Sequence, residues 1–171
     1  VTHALAYSGY VEIIPTPFMP NTVLDTWGLE SGDKRRKTVQ VQNPLDADYA
    51  VLATTLLPAM LEAVGRNVAR GRTDLALYSV AQTVFKTADE SPMPSVLERP
   101  TPEVLEELIG SLPEQHLHAA TVAIGNKELE GPWGKGRTYT WADAIESAQI
   151  VAKSCGCLLY TSPSPRDRQK S

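Results

Sequence analysis

The sequence predicts an α+β fold in which helices flank a mostly antiparallel sheet, and three observations carry that prediction. Stretches with apolar residues at helical spacing and short stretches alternating with period two follow one another in mixed order, without the regular strand–helix alternation of a parallel sheet. No internal repeat interrupts that order. The chain has 171 residues, of which 42% are hydrophobic and 21% charged, the composition of an ordinary globular domain long enough to bury a core without disulfide staples.

The elements follow in order. Thr2 to Ser8 reads as a helix closed by Gly9, and Tyr10 to Ile14 as a strand stopped by Pro15 and Pro17. Pro20 suits the first turn of a short helix that places Val23, Leu24 and Trp27 on one face and ends at Gly28. Glu30 to Lys37 is a charged loop whose run Lys34-Arg35-Arg36-Lys37 reads as a solvated turn rather than a binding patch. Thr38 to Gln42 alternates as a strand, Asn43-Pro44 turns the chain, and Tyr49 to Leu52 is a second short strand. A helix capped by Thr54 or Thr55 follows, with Pro58 in its first turn. Its apolar stripe is Leu57, Met60, Leu61, Val64 and Val68, expected to pack on the sheet holding Val39, Val41, Leu77 and Val80. Leu75 to Val80 and Thr83 to Phe85 form one long strand with a break near Ala81-Gln82, and Thr87 to Pro100, with three prolines, is a mobile loop. Thr101-Pro102-Glu103 opens a helix in good order of cap, proline and acid, running on Val104, Leu105, Leu108 and Ile109 to about Leu112. Leu117 to Ile124 is a strand. Gly131 to Gly136 is a tight turn with Trp133 tucked under it. Thr140 caps the last helix, with Trp141, Ala144, Ile145, Ala148 and Val151 along one side.

Charge and composition exclude several function classes. With 16 basic against 20 acidic residues the chain is mildly acidic, unlike a generic nucleic-acid binder. No apolar run reaches the roughly 18 residues of a membrane span, and no secretory signal opens the chain. His116-x-His118 would put two imidazoles on one side of a strand, but no third or fourth metal ligand lies near, so a solvated pair is expected. Gly131 to Gly136 lacks the spacing of a phosphate loop, and no Ser/His/Asp or Cys/His grouping stands out. Composition and spacing alone thus give a soluble α+β domain with no evident active site.

Both ends carry their own expectations. Val1 falls inside a helix, so residues upstream are expected. Residues 157–171, Cys157-Leu158-Leu159-Tyr160-Thr161-Ser162-Pro163-Ser164-Pro165-Arg166-Asp167 and the four that follow, resemble a translated sequencing adapter. They are set apart as a non-native tail without stable structure, leaving 1–156 as the domain. Cys155-Gly156-Cys157 accordingly drops out as a metal or redox motif.

Two segments bring a family into view. Gly9-Tyr10-Val11-Glu12-Ile13-Ile14-Pro15-Thr16-Pro17-Phe18 resembles motif 1, the helix–strand–proline signature of class II aminoacyl-tRNA synthetases. Asn43-Pro44-Leu45, Leu52 to Leu61 with its Leu56-Leu57-Pro58, Arg66-Asn67 to Gly71, Asp74 to Ala81 and Val84-Phe85 together resemble the phenylalanyl-tRNA synthetase beta subunit. Gly131-Pro132-Trp133-Gly134 with Trp141-Ala142-Asp143 is similar to a later stretch of the same family, so the resemblance covers nearly all of 1–152. It departs at Ala53, where the family has an arginine, and at Tyr78-Ser79-Val80-Ala81, where the family has Phe-Glu-Ile-Gly; motif 2 arginines are missing and motif 3 would lie beyond the chain.

The resemblance implies a partial class II aminoacyl-tRNA synthetase-like core belonging to the beta chain of a cytoplasmic heterotetrameric phenylalanine–tRNA ligase. It implies that ATP, Mg and phenylalanine are handled by the alpha subunit and that this segment holds no catalytic residue, no metal and no cofactor. Class II cores pair through motif 1, so Tyr7, Tyr10, Ile13 and Phe18 are the candidate interface with alpha. Arg66, Arg70 and Arg72 are the candidate contacts to tRNA phosphates. The alternative is a stand-alone scaffold or binding module that kept the fold without ligase activity.

Overall fold

Twelve helices and strands follow one another in the computed structural model, which describes residues 1–87, 94–95, 97–132 and 134–157. They are α1 (Thr2–Tyr7), β1 (Val11–Glu12), β2 (Phe18–Met19), α2 (Val23–Thr26), β3 (Val51–Leu52), α3 (Leu57–Ala69), β4 (Leu75–Phe85), α4 (Pro102–Gly110), β5 (Glu114–Ile124), β6 (Asn126–Glu128), β7 (Arg137–Thr138) and α5 (Trp141–Ser154). Short 3-10 turns cover Lys34–Arg36 and Ala47–Tyr49. The mixed α+β class is the one the sequence predicts. The expected conformations of Trp133 and of 158–171 lie outside the described residues, as do 88–93 and 96 of the Thr87 to Pro100 loop.

The chain divides into two units: 1–13, 63–79 and 121–171 form the first, and 14–62 with 80–120 the second. The division falls inside α3, β4 and β5, so each unit takes a segment of all three.

In the first unit β1 runs parallel to β4, with Val11 opposite Leu77 and Glu12 opposite Tyr78, in a sheet ordered β1-β4-β5. Gly9 (φ +90°) turns the chain out of α1 into β1, as the sequence predicts. The β6–β7 pair is antiparallel. Gly125 (φ +75°) makes the turn from β5 into β6, and a Cβ there would run into the Thr73 carbonyl and the Asp74 carboxylate. Asp74 accepts the neighbouring Asn126 N–H at 2.7 Å, so the turn is closed by a side chain 52 residues away in sequence. Leu5, Ala63, Leu77, Tyr78 and Ser79 are buried here.

In the second unit β2 and β3 pair antiparallel, and Met19, Leu24 and Ala53 pack with Val23, Leu29 and Val51 into a small core. The predicted strand over Thr38 to Gln42 is reduced to a single antiparallel bridge, Gln40 to Val51, flanked by hydrogen bonds from Val41 N to Ala50 O and from Leu52 N to Val39 O. Just before this stretch, the Arg36 guanidinium donates to the Leu24, Leu29 and Glu30 carbonyls and pairs with Asp25 at 2.7 Å, tying the turn to α2. The break expected at Ala81-Gln82 does not occur, because β4 runs unbroken for 11 residues. β5 starts three residues earlier than the sequence suggests, at Glu114. α4 is capped by Thr101, with Pro102 in its first turn, as predicted.

The apolar stripes are the main correction. On α3 the buried residues are Pro58, Met60 and Ala63, continuing from Leu56 just before the helix, whereas Leu57, Leu61 and Val68 face outward. Leu61 is 51% exposed and does not pack on the sheet as expected. Two stripes one residue apart compete on this helix. The one that wins contains Ala63 and Asn67, whose Nδ2 donates to the Ala63 carbonyl at 2.8 Å, and so looks less apolar in sequence. On α5 the expected Trp141 and Ile145 side is the outward one, and Asp143 and Ser147 are buried instead.

Candidate functional site

The first unit contains a polar centre that the sequence does not announce. Asp143 lies in the first turn of α5, and its carboxylate accepts the Thr140 N–H at 2.9 Å and the Thr140 hydroxyl at 3.0 Å, so the capping segment wraps onto its own helix. Arg137, on β7, donates to both carboxylate oxygens at 2.9 and 3.0 Å. Lys127, on β6, donates to Asp143 at 2.7 Å and to Glu146 at 2.8 Å. Glu128 takes the remaining Arg137 Nε at 3.0 Å. Five donors thus converge on one buried carboxylate, which repays its desolvation. Next to it, the Thr121 hydroxyl lies 2.9 Å from that of Ser147.

The electrostatics follow from that geometry. The Arg137 guanidinium, then the Lys127 ammonium, hold the Asp143 carboxyl far below the usual carboxylate range. The same contacts raise Lys127 and Arg137 above their ordinary values. Each shift favours the charged form of its group. A general acid or base needs a pKa near the operating pH, and Asp143 is held far from it. The cluster does mechanical work: it locks the β6–β7 hairpin onto the start of α5.

A cavity of about 220 Å³ opens beside this cluster, lined by Tyr10, Thr121, Tyr139, Trp141 and Asp143. Burial pushes the Tyr10 hydroxyl above its ordinary pKa, opposed in part by its hydrogen bond with Ser147. Tyr10, read from the sequence as an interface residue, is therefore half-buried and also tied into the α5 polar face. Among the other candidates, Tyr7 is 91% exposed at the end of α1, and Ile13 is half-buried after β1, donating its N–H to the Tyr78 carbonyl at 2.8 Å. Phe18 belongs to the second unit, in β2 opposite Leu52, and is half-buried. Arg66 near the end of α3, and Arg70 and Arg72 just after it, are exposed on the first unit. Lys127 and Arg137 escaped the sequence reading because their partner is distant; the Thr140-x-x-Asp143 spacing was the one local signal.

His116 and His118 stack on β5 with ring centroids 6.3 Å apart, on one side of the strand as the alternation requires. Among the described residues no group of three His, Cys, Asp or Glu could hold a metal ion. Cys155 and Cys157 are both exposed free thiols. No helix among the described residues is long and apolar enough to cross a membrane.

Comparison with known proteins supplies what this geometry does not. Residues 1–168 match the family model described as the phenylalanyl tRNA synthetase beta chain CLM domain, a match that extends into the stretch set apart as a tail. The phenylalanine–tRNA ligase beta subunit of Corynebacterium efficiens is 60% identical over 157 residues, covering 91% of this chain and 19% of that protein. That of Corynebacterium glutamicum is 59% identical over 160 residues, covering 93% of this chain and 19% of the relative. The chain thus spans about a fifth of the length of the curated relatives it matches. Among solved structures, pyrrolysyl-tRNA synthetase from Desulfitobacterium hafniense aligns with a TM-score of 0.55 at 11% identity, over 91% of this chain and 44% of that one, a likeness of fold alone. On the family match and these identities, the chain belongs to the phenylalanyl-tRNA synthetase beta chain CLM domain family.

Proposed function

We propose that this chain is the class II-like core segment of the beta subunit of a cytoplasmic phenylalanine–tRNA ligase, and that it contributes assembly surface rather than reacting groups. The observation that carries this reading is the family match together with identity near 60% to ligase beta subunits. The structure adds support of a physical kind. The buried carboxylate of the first unit is saturated by Lys127, Arg137 and Thr140, which leaves it no capacity for proton transfer.

The partner in this reading is the alpha subunit, met through the motif 1 region around Tyr7, Tyr10, Ile13 and Phe18, in a heterotetramer. Arg66, Arg70 and Arg72 supply contacts to tRNA phosphates. ATP and Mg serve the whole ligase by supplying the activated carboxylate of phenylalanine. The described residues of this segment do not fit them: no carboxylate group stands ready for a metal, and Arg137 is fully engaged by Glu128 and Asp143.

The test is reconstitution. The beta chain containing this segment, co-expressed with its alpha partner, should charge tRNA with phenylalanine, and neither chain should do so alone. A beta chain that neither binds alpha nor supports charging would overturn the assignment.

A further inference from the structure

The basic run Lys34-Arg35-Arg36-Lys37 does not behave as one unit. Arg36 turns inward to the carbonyls under α2, while Lys34, Arg35 and Lys37 line a recess of about 730 Å³ in the second unit. The opposite wall is Lys86, just after β4, and the stacked imidazoles of His116 and His118 on β5. The recess is firmly framed. The Lys86 N–H donates to the Lys37 carbonyl at 2.9 Å, joining the two walls. Buried Thr83 places its hydroxyl 3.1 Å from His118 Nδ1 and holds that ring in place.

Charges inside the recess are unequally committed. Asp33 takes Arg35 in a two-pronged pair at 2.6 and 2.9 Å, and Glu114 sits 3.3 Å from His116 Nε2. Among the described residues those are the two carboxylates that line it. Lys34 and Lys37 are exposed and make no ion pair among the described residues. Lys34, Arg35, Lys37 and Lys86 thus share one concave site with two carboxylates among the described residues, and of these cations Lys34 and Lys37 make no ion pair there. Like charges gathered this way cost free energy unless an anion neutralises them. The flat faces of two parallel imidazoles, with Phe85 beside them, add surface on which a planar group stacks.

We infer that this recess is an anion site that takes clustered phosphate groups, whether of a free polyphosphate or of a single-stranded nucleic acid, with Lys34 and Lys37 as its principal contacts. It stands on the second unit's geometry and does not rest on the ligase assignment. Arg66, Arg70 and Arg72 do not line it.

The probes are inorganic tripolyphosphate and a fluorescent single-stranded RNA of about eight nucleotides, the scale of one groove-bound segment. Both are titrated into the 171-residue chain by calorimetry and anisotropy across a salt series. The double variant Lys34→Glu/Lys37→Glu should weaken binding at least about tenfold and lower the salt slope by about one to two. Lys34→Gln/Lys37→Gln should do the same to a lesser degree. The variant Lys135→Glu/Lys153→Glu, with the same charge change on exposed positions of the first unit, should leave binding within about twofold. Circular dichroism checks that all variants are folded. Recess-dependent binding of tripolyphosphate alone identifies a free polyphosphate; recess-dependent binding of RNA that tripolyphosphate displaces poorly identifies a strand stacked on the imidazoles. No binding of either probe, or equal loss in both charge-reversed pairs, overturns the site.

Discussion

Helices α3 and α5 are of nearly equal length, 13 and 14 residues, and both carry an apolar stripe, yet they bury opposite kinds of surface. α3 buries Met60 and Ala63. α5 buries Asp143 and Ser147 and turns Trp141, 78% exposed, and Ile145 outward. The difference lies in what each helix meets. α5 meets Lys127, Arg137 and Thr121, whose donors and hydroxyl can be satisfied only by polar groups, so its polar side goes in. Helix amphipathicity tells which residues could be buried; the chemistry of the neighbour decides which are. Both helices are left with outward apolar residues, the kind of surface by which a segment joins a larger assembly.

Substitutions along the two helices sharpen this contrast. Met60 is fully buried, so Met60→Ala should cost about 2–5 kcal/mol in urea denaturation, through lost transfer energy and the cavity left behind. A loss below about 0.5 kcal/mol would place the buried face of α3 elsewhere.

Asp143→Asn should cost less at neutral pH but change the shape of the acid limb. The folded carboxyl is held below its unfolded value, first by Arg137 and then by Lys127. Its contribution is therefore complete above an ordinary aspartate value of about 4 and is lost as pH falls below it. Wild type should lose stability more steeply than the variant on acidification in that interval. Asp33, lowered to about 2 by Arg35, contributes the same slope to both proteins and cancels in the comparison. Parallel acid limbs would mean that the five hydrogen bonds on Asp143 are not maintained in solution.

Leu61→Ala, on the outward side of α3, should fall within about 0.5 kcal/mol, the range of ordinary surface changes. A cost as large as that of Met60→Ala would restore the stripe that the sequence suggests.

Much of the fold was legible in the residues. Gly9, Thr101-Pro102-Glu103 and Thr140 marked element ends because capping is local chemistry. The stripe of α3 was misplaced by one position because Ala63 and Asn67 make its buried side look poor in apolar residues. The Asp143 centre was legible only in its local half, Thr140. Lys127 and Arg137 reach it from a hairpin whose register no periodicity encodes. The division of the Lys34 to Lys37 run was hidden for the same reason: Arg36 turns to the carbonyls of Leu24 and Leu29, while Lys34, Arg35 and Lys37 line the recess. Resemblance to the family, in contrast, was carried by contiguous motifs and needed no tertiary information.

We propose that this segment supplies surface, and not chemistry, to a phenylalanine–tRNA ligase. Phenylalanine-dependent ATP–pyrophosphate exchange by the purified, folded chain tests it most directly. The expected result is no exchange above background by the chain alone, and exchange once the complete beta chain is assembled with alpha. Exchange catalysed by the chain alone, and abolished by a substitution at Asp143, Arg137 or Lys127, would contradict it.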